Sequence, residues 1–294
     1  ECEKYYKKNG FHLSRYEICV GYMALGGIPF YLDKLRTDLT ITDNIDRIFF
    51  ADELIHQEFM DVYTGLYASK ERYVDIVKAL GSKFYGMTQA EISHATGIKT
   101  GGSLTKLLEN LRESGITREY PRYGKERVEK VYQLKDFFSL FYLRFAHNKQ
   151  VKAGGWKDLF GKGEYYKWAG DTFELLCIEH LPQMTDALRL HSVDRNYCFS
   201  GKTADGTGAQ IDLVMESKAA NTDYLCEMKF SGSKYSITAD YEQILQNKID
   251  AFAVSKMHNS MRSLLVVLVT TMGLAPGIHA SIINQTLTLD DLFA

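Results

Sequence analysis

The sequence predicts a multidomain chain, α at first and α/β afterwards. Three observations carry that expectation. Apolar residues recur at helical spacing through the first half, a hairpin signal follows three short helix signals, and short strands alternate with helices toward the C-terminus. With 294 residues and about 100–200 per domain, two or three domains are expected. Hydrophobic residues make up 45% and charged residues 24%, an ordinary globular balance that excludes disordered and fibrous classes.

The first segment, 1–67, reads as helical. Its pattern runs from about Leu13 to Tyr67 and breaks at Gly26-Gly27-Ile28-Pro29, because proline lacks a backbone donor and restrains its neighbour. Beyond the break, Ile45, Ile48, Phe49, Leu54, Ile55, Phe59 and Tyr63 keep the spacing of a long amphipathic helix or a pair of helices.

The second segment, 68–147, contains three helix signals and a hairpin. Tyr73, Ile76, Val77 and Leu80 form one apolar stripe; Thr88-Gln-Ala-Glu91 is a capping box opening a helix that Gly97 should end. Leu104, Leu107, Leu108 and Leu111 form the third stripe, stopped at Gly115. Strand signals at Ile116–Tyr120 and Val128–Leu134 flank a charged turn. Three helices followed by a two-stranded wing is the order of a winged helix-turn-helix.

Asn148–Lys162, rich in Gly and Lys, is the expected boundary. The third segment, 156–294, is mixed α/β. It opens with a helix over Trp168–His180, continues with strands at Tyr197–Ser200, Ala209–Glu216 and Asp223–Phe230, and adds a helix at Thr238–Val254 before the strand Leu264–Thr270. That last strand is apolar on both faces, as a central strand should be.

Several function classes fall away. The longest apolar run, Leu264–Val269, is far below the roughly 20 residues of a membrane span. Glu1–Gly10 is charged and polar, unlike a secretory signal. The five cysteines are scattered with no CxxC pair, which points to a reducing cytoplasm rather than a disulfide framework or zinc site. The histidines form no HxH or HxxxH, and no GxSxG elbow occurs. A net charge of −2 argues against coating nucleic acid by bulk charge, leaving room for a local basic face.

The informative stretch is Tyr224-Leu-Cys-Glu-Met-Lys-Phe230. Strand alternation puts Leu225, Glu227 and Lys229 on one face. Upstream, Asp212 interrupts the apolar strand Gln210–Val214, and a hairpin through Lys218–Thr222 would set it beside Glu227. Two buried acids on adjacent strands are costly unless something positive lies between them. A divalent cation meets that need, and Mg²⁺ favours a few carboxylates plus water and phosphate oxygens.

Asp212 followed by Glu227-Met-Lys229 resembles the PD-(D/E)XK nuclease signature, with Ile211 where the family's name has proline. Glu174, in Gly170-Asp-Thr-Phe-Glu174, matches the glutamate that this family often carries on the preceding helix. The resemblance implies a restriction-endonuclease-like α/β domain that hydrolyses phosphodiester bonds with Mg²⁺ or Mn²⁺. Asp212, Glu227 and Glu174 would hold the metal, and Lys229 would orient water or stabilise developing charge.

A wider pattern covers nearly the whole chain: Gly26-Gly-Ile-Pro-Phe-Tyr-Leu32, the winged helix closing on Tyr132–Phe145, Trp168, Phe173-Glu174, Ile211–Val214 and Glu227–Phe230. It resembles the C-terminal half of prokaryotic AAA+ ATPases that carry a fused nuclease-like domain, the GGIP segment belonging to their helical lid. No GxxxxGK[ST] loop is present. The chain starts at Glu1 without an initiator Met. The resemblance therefore implies an ATPase module upstream, with ATP bound only there and any homo-oligomer formed through the full-length ATPase. The rival expectation is a catalytically silent nucleic-acid-binding or regulatory module of such an ATPase.

The winged helix would either contact DNA or serve as a packing module between domains; on the first reading its third helix is the recognition element. Lys99, Lys106 and Arg112, with Arg122 and Lys125 of the wing, suit phosphates, whereas Asn110 suits a base edge. Trp156, Trp168, Tyr165 and Tyr166 read as core packing before base stacking. Gln243 and Gln246 read as a solvated helix face before phosphate contact.

Overall fold

Side-chain caps mark the starts of several helices in the first half. In the computed structural model, which describes residues 1–51, 55–66, 70–123, 129–147 and 154–293, the chain is mixed α/β. It divides into two compact units, residues 1–120 with 130–172 and residues 121–129 with 173–294.

The first unit opens with α1 (Cys2–Lys8), α2 (Arg15–Leu25), α3 (Pro29–Leu32) and α4 (Ile41–Asp46). Ser14 and Glu17 close a capping box on α2, satisfying donors that a helix start leaves unpaired. That helix stops at Gly26, φ 68°, a conformation that only glycine adopts cheaply. Pro29 then begins α3, where a missing N–H costs nothing. The expected break at Gly26–Pro29 is therefore present. A π-helical turn, Arg47–Ala51, follows α4, and α5 (Ile55–Leu66) comes after it.

Next come α6 (Lys70–Gly81), the short strand β1 (Met87–Thr88), α7 (Gln89–Thr96), α8 (Gly102–Glu113), β2 (Thr117–Tyr123) and β3 (Glu129–Leu134). Thr88 and Glu91 form the expected capping box on α7, and Gly97 ends that helix in the left-handed region at φ 71°. Leu104, Leu107, Leu108 and Leu111 all lie on the buried stripe of α8. β3 pairs antiparallel with β1 and also borders β2.

After β3 come α9 (Phe137–Phe141), α10 (Gly155–Leu159) and α11 (Gly163–Glu179). The core of this unit is aromatic. Tyr31 stacks on Phe138 at 4.2 Å, and Phe141 packs 4.9 Å from Trp156 and 5.3 Å from Trp168. Trp156, Tyr165 and Trp168 are buried, so these rings are core, while Tyr166 is exposed.

The second unit holds the C-terminal end of α11 from Phe173, then α12 (Leu181–Ala187), β4 (Arg195–Lys202), β5 (Gly208–Ser217), β6 (Thr222–Lys229), α13 (Ala239–Ala253), β7 (Ser263–Thr270), β8 (Gln285–Leu287) and α14 (Leu289–Leu292). Its strands lie in the order β4-β5-β6-β7-β8. The first two junctions are antiparallel hairpins, and β6–β7 and β7–β8 are parallel. A parallel pair needs a crossover, which α13 supplies between β6 and β7.

One sheet face buries Tyr197, Phe199, Val214 and Leu225 against Ala251 and Phe252 of α13. Phe252 is fully enclosed, a burial that contributes about 1.5–3 kcal/mol. All five cysteines are free. No helix among the described residues is long and apolar enough to cross a membrane.

Candidate functional site

The β5–β6 hairpin sets the geometry. Leu213 pairs with Cys226, Val214 with Leu225, and Glu216 with Asp223, around the turn at 218–221. One step beyond the last registered pair places Asp212 opposite Glu227, as the sequence predicts. A bulge on the other side of β5 adjusts the approach. Tyr197 answers Val214 but Phe199 answers Ile211, so three steps of β5 match two of β4 and the surplus falls at Asp212–Leu213. Bulges of this kind re-aim a side chain. The Cys198 thiol donates to the Asp212 carbonyl at 3.0 Å.

Glu227 is the centre of the cluster. Its residue is 3% exposed, on a strand buried through nearly its whole length. Oε1 accepts from the Tyr241 hydroxyl at 2.5 Å and from Lys229 Nζ at 2.8 Å, and Oε2 accepts from Lys248 Nζ at 2.6 Å. Burial pushes this carboxyl up, but Lys248 and Lys229 outweigh it and hold the pKa below its ordinary value. The same desolvation acts to lower Lys229, and Glu227 reverses it, so the ammonium is held above its ordinary value. Lys229 also sits 5.0 Å from the centre of the Tyr241 ring, a cation–π distance.

Asp212 is half-buried and lies in a different electrostatic position. Burial raises its carboxyl, and the charge of Glu227 raises it further, with Lys248 and Lys229 offsetting only part. Its hydrogen-bond donor among the described residues is the Gln210 amide, at 3.3 Å. Two carboxylates and two ammonium groups make the cluster formally neutral, yet the ammonium contacts fall on Glu227 and Asp212 is left short of a cation.

The surroundings are those of a ligand edge. β6 and β7 run parallel and end together, Lys229 paired with Thr270, and open α/β sheets take ligands at the carboxyl ends of their strands. The Thr270 hydroxyl, which the register puts on the Lys229 side, is fully buried and has no hydrogen-bond partner among the described residues. Tyr235 packs 5.8 Å from Tyr241. A cavity of about 10 Å³, bounded by Glu227 and Lys248 and by Ile211, Leu225, Cys226, Leu245, Ile249 and Val266, has room for about one water.

The structure thus brings together Asp212, Glu227 and Lys229. Glu174 is buried in α11, but the strongest charge effects on Asp212 come from Glu227 and the two lysines, and those on Glu227 from the two lysines. No group of three or more His, Cys, Asp or Glu side chains arranged for a metal ion occurs among the described residues. Lys248 and Tyr241 are site residues that sequence reasoning does not single out. The available signal is the phase of α13, in which Lys248 falls on the apolar stripe. Gln243 and Gln246 bond along the helix to Asn247 and Asp250 and are exposed.

The expected DNA contacts divide differently. Lys99 and Lys106 are exposed, with Lys106 4.0 Å from Glu109. Asn110 donates to the Tyr73 hydroxyl at 2.6 Å, so its amide is engaged within the unit. Arg112 lies 3.6 Å from Glu119. Lys125 and the side chain of Arg122 lie outside the described residues.

A second acid pair, unforeseen in the sequence, occupies the turn end of the same hairpin. Glu216 and Asp223 are both fully buried. Arg195 grips Glu216 with two nitrogens at 2.8 and 2.9 Å, Tyr197 donates to it at 2.7 Å, and His258 meets Asp223 at 2.8 Å. Arg262 Nη1 spans both acids. Set against known proteins, the chain matches no family model and no curated protein sequence.

Proposed function

We propose that the second unit carries a PD-(D/E)XK-type nuclease site dependent on Mg²⁺ or Mn²⁺, and that the chain is the C-terminal portion of a DNA-binding AAA+ ATPase. The observation that carries the site reading is Asp212, a half-buried acid opposed to Glu227 and short of a cation. The donor set suits a hard divalent ion, since two carboxylates leave positions for water and phosphate. Asp212 and one oxygen of Glu227 would hold it. When bound, such an ion supplies Lewis acidity toward a phosphoryl oxygen and lowers the pKa of water.

The chain's own groups do the rest. Lys229, fixed over the Tyr241 ring, offers its ammonium to negative charge developing on phosphate. Burial of Glu227 keeps bulk water away and strengthens every charge interaction nearby. The neutral cluster accepts a divalent ion and two phosphate charges with no net change, so ion and nucleic acid favour each other's binding. In the first unit, the exposed Lys99 and Lys106 supply phosphate contacts on the winged helix-turn-helix reading.

The test is cleavage of plasmid and oligonucleotide DNA with Mg²⁺ or Mn²⁺, comparing the intact chain with Asp212→Asn and Glu227→Gln. Cutting that requires metal and vanishes in both variants supports the reading; cutting that survives them overturns the site. A second reading is favoured by one observation: Lys229, Lys248 and Tyr241 already satisfy both oxygens of Glu227. On that reading the unit is a silent nucleic-acid-binding or regulatory module. DNA binding without metal-dependent cutting, in this chain and in a longer protein that includes the ATPase, would favour it.

A further inference from the structure

Lys248 breaks the pattern of its helix. Along α13, Tyr241, Leu245, Lys248 and Phe252 follow one another at helical intervals on a single stripe. Leu245 and Phe252 fill the core, whereas the position between them carries an ammonium group. Its side chain is only 16% exposed, so it loses hydration and rotamer freedom. Consistent patterning is the rule, and departures from it collect at functional positions.

The contact that offsets this cost is more than Glu227 requires. Lys229 neutralises Glu227 from the Oε1 side at 2.8 Å, and Lys248 adds a second ammonium at Oε2, 2.6 Å away. Asp212, beside them, has an amide as its donor instead. The second ammonium takes the remaining carboxylate oxygen, and of the two lysines it is the one that acts more strongly on Asp212. The small cavity bounded by Lys248, Leu245, Ile249 and Ile211 leaves slack beside the lysine stem.

We propose that Lys248 is a displaceable counter-ion: it holds Glu227 Oε2 while no metal is present, yields that oxygen to a divalent cation, and then binds a phosphate of the nucleic acid. The inference rests on the reading of this site as cation-dependent. It couples the two ligands through one side chain. The cation releases the ammonium, the phosphate retains it, and each ligand strengthens the other by the same factor.

Calorimetric titration with Mn²⁺ alone, on the wild-type chain, Lys248→Met and the exposed control Lys256→Met, tests the proposal. Lys248→Met is expected to bind Mn²⁺ about tenfold tighter than wild type, because a like charge has left the site. Lys256→Met should match wild type. A short DNA duplex should tighten Mn²⁺ binding about fivefold more in wild type than in Lys248→Met, where only the direct attraction between ion and phosphate remains. If Lys248→Met does not fold, Lys248→Gln, which keeps a donor without the charge, takes its place.

Equal or weaker Mn²⁺ binding by the charge-free variant overturns the proposal, as does duplex coupling as strong in it as in wild type. If wild type cuts DNA and binds Mn²⁺ yet the variant gains nothing, the counter-ion role fails while the nuclease reading stands. If the variant gains affinity and its coupling weakens but no protein cuts, the nuclease reading fails and the counter-ion role stands. Absence of Mn²⁺ binding by either protein overturns both.

Discussion

Glu216 and Asp223 stand opposite each other on the β5–β6 hairpin, in the same register that sets Asp212 against Glu227. Each acid pair receives cations from another element. At the turn end a single nitrogen of Arg262 lies 3.1 Å from Glu216 and 2.9 Å from Asp223. Both carboxylates are fully enclosed, so Arg262→Met leaves them short of charge. The expected loss is about 3–5 kcal/mol in urea unfolding. A loss below about 1 kcal/mol would mean that Arg195 and His258 suffice.

Acid should loosen this unit. Burial raises the Glu216 carboxyl, but bonds from Tyr197, Arg195 and Arg262 prevail and hold it below its ordinary 4.5. A carboxyl whose pKa is lower in the folded chain stabilises above the unfolded value and loses that contribution as pH falls through the folded one. Asp212, raised, works in the opposite sense and offsets part of this. The urea midpoint is expected to fall steadily below about pH 5, and Glu216→Gln to lose part of that slope. Identical slopes in the two proteins would remove Glu216 from the account.

Asp212→Asn should stabilise the chain. The raised carboxyl pKa means that ionised Asp212 is disfavoured in the fold at neutral pH, and the neutral amide relieves that repulsion. Thermal unfolding at neutral pH should show a gain of about 1 kcal/mol. A loss of similar size would show that Asp212 is held by attractive contacts, contrary to its role as an acid awaiting a cation.

Phosphate contacts by the first unit are read from the salt dependence of DNA binding. Lys99→Ala and Lys106→Ala are each expected to lower the slope of log affinity against log salt by about 0.9. Arg112→Ala should change it less, because Glu119 already engages that side chain. Slopes unchanged in both lysine variants would place DNA contact elsewhere.

Local pattern accounts for much of this architecture. Apolar phase and caps place α7, α8, β5, β6, α13 and β7 within a few residues, and alternation pairs Glu227 with Lys229 on one face. β8, three residues long, is too short to show a period. Lys248 escapes notice for another reason: a lysine in an apolar stripe reads as a stem covering the core, and its contact with Glu227 depends on how α13 packs over the sheet. Glu216 and Asp223 carry no signal of their own in the sequence, because their partners Arg195, His258 and Arg262 come from other parts of the chain.

The shared register of the two acid pairs ties assembly of the site to folding itself. Side chains alternate between sheet faces, so a slip of one residue would turn Glu216 and Asp212 away from their partners together. Such a misaligned hairpin would bury carboxylates with no arginine or lysine in reach, a cost that no competing apolar contact supplies. The charges at one end of the hairpin therefore proofread the alignment at the other, and a chain that folds at all arrives with Asp212 and Glu227 already face to face.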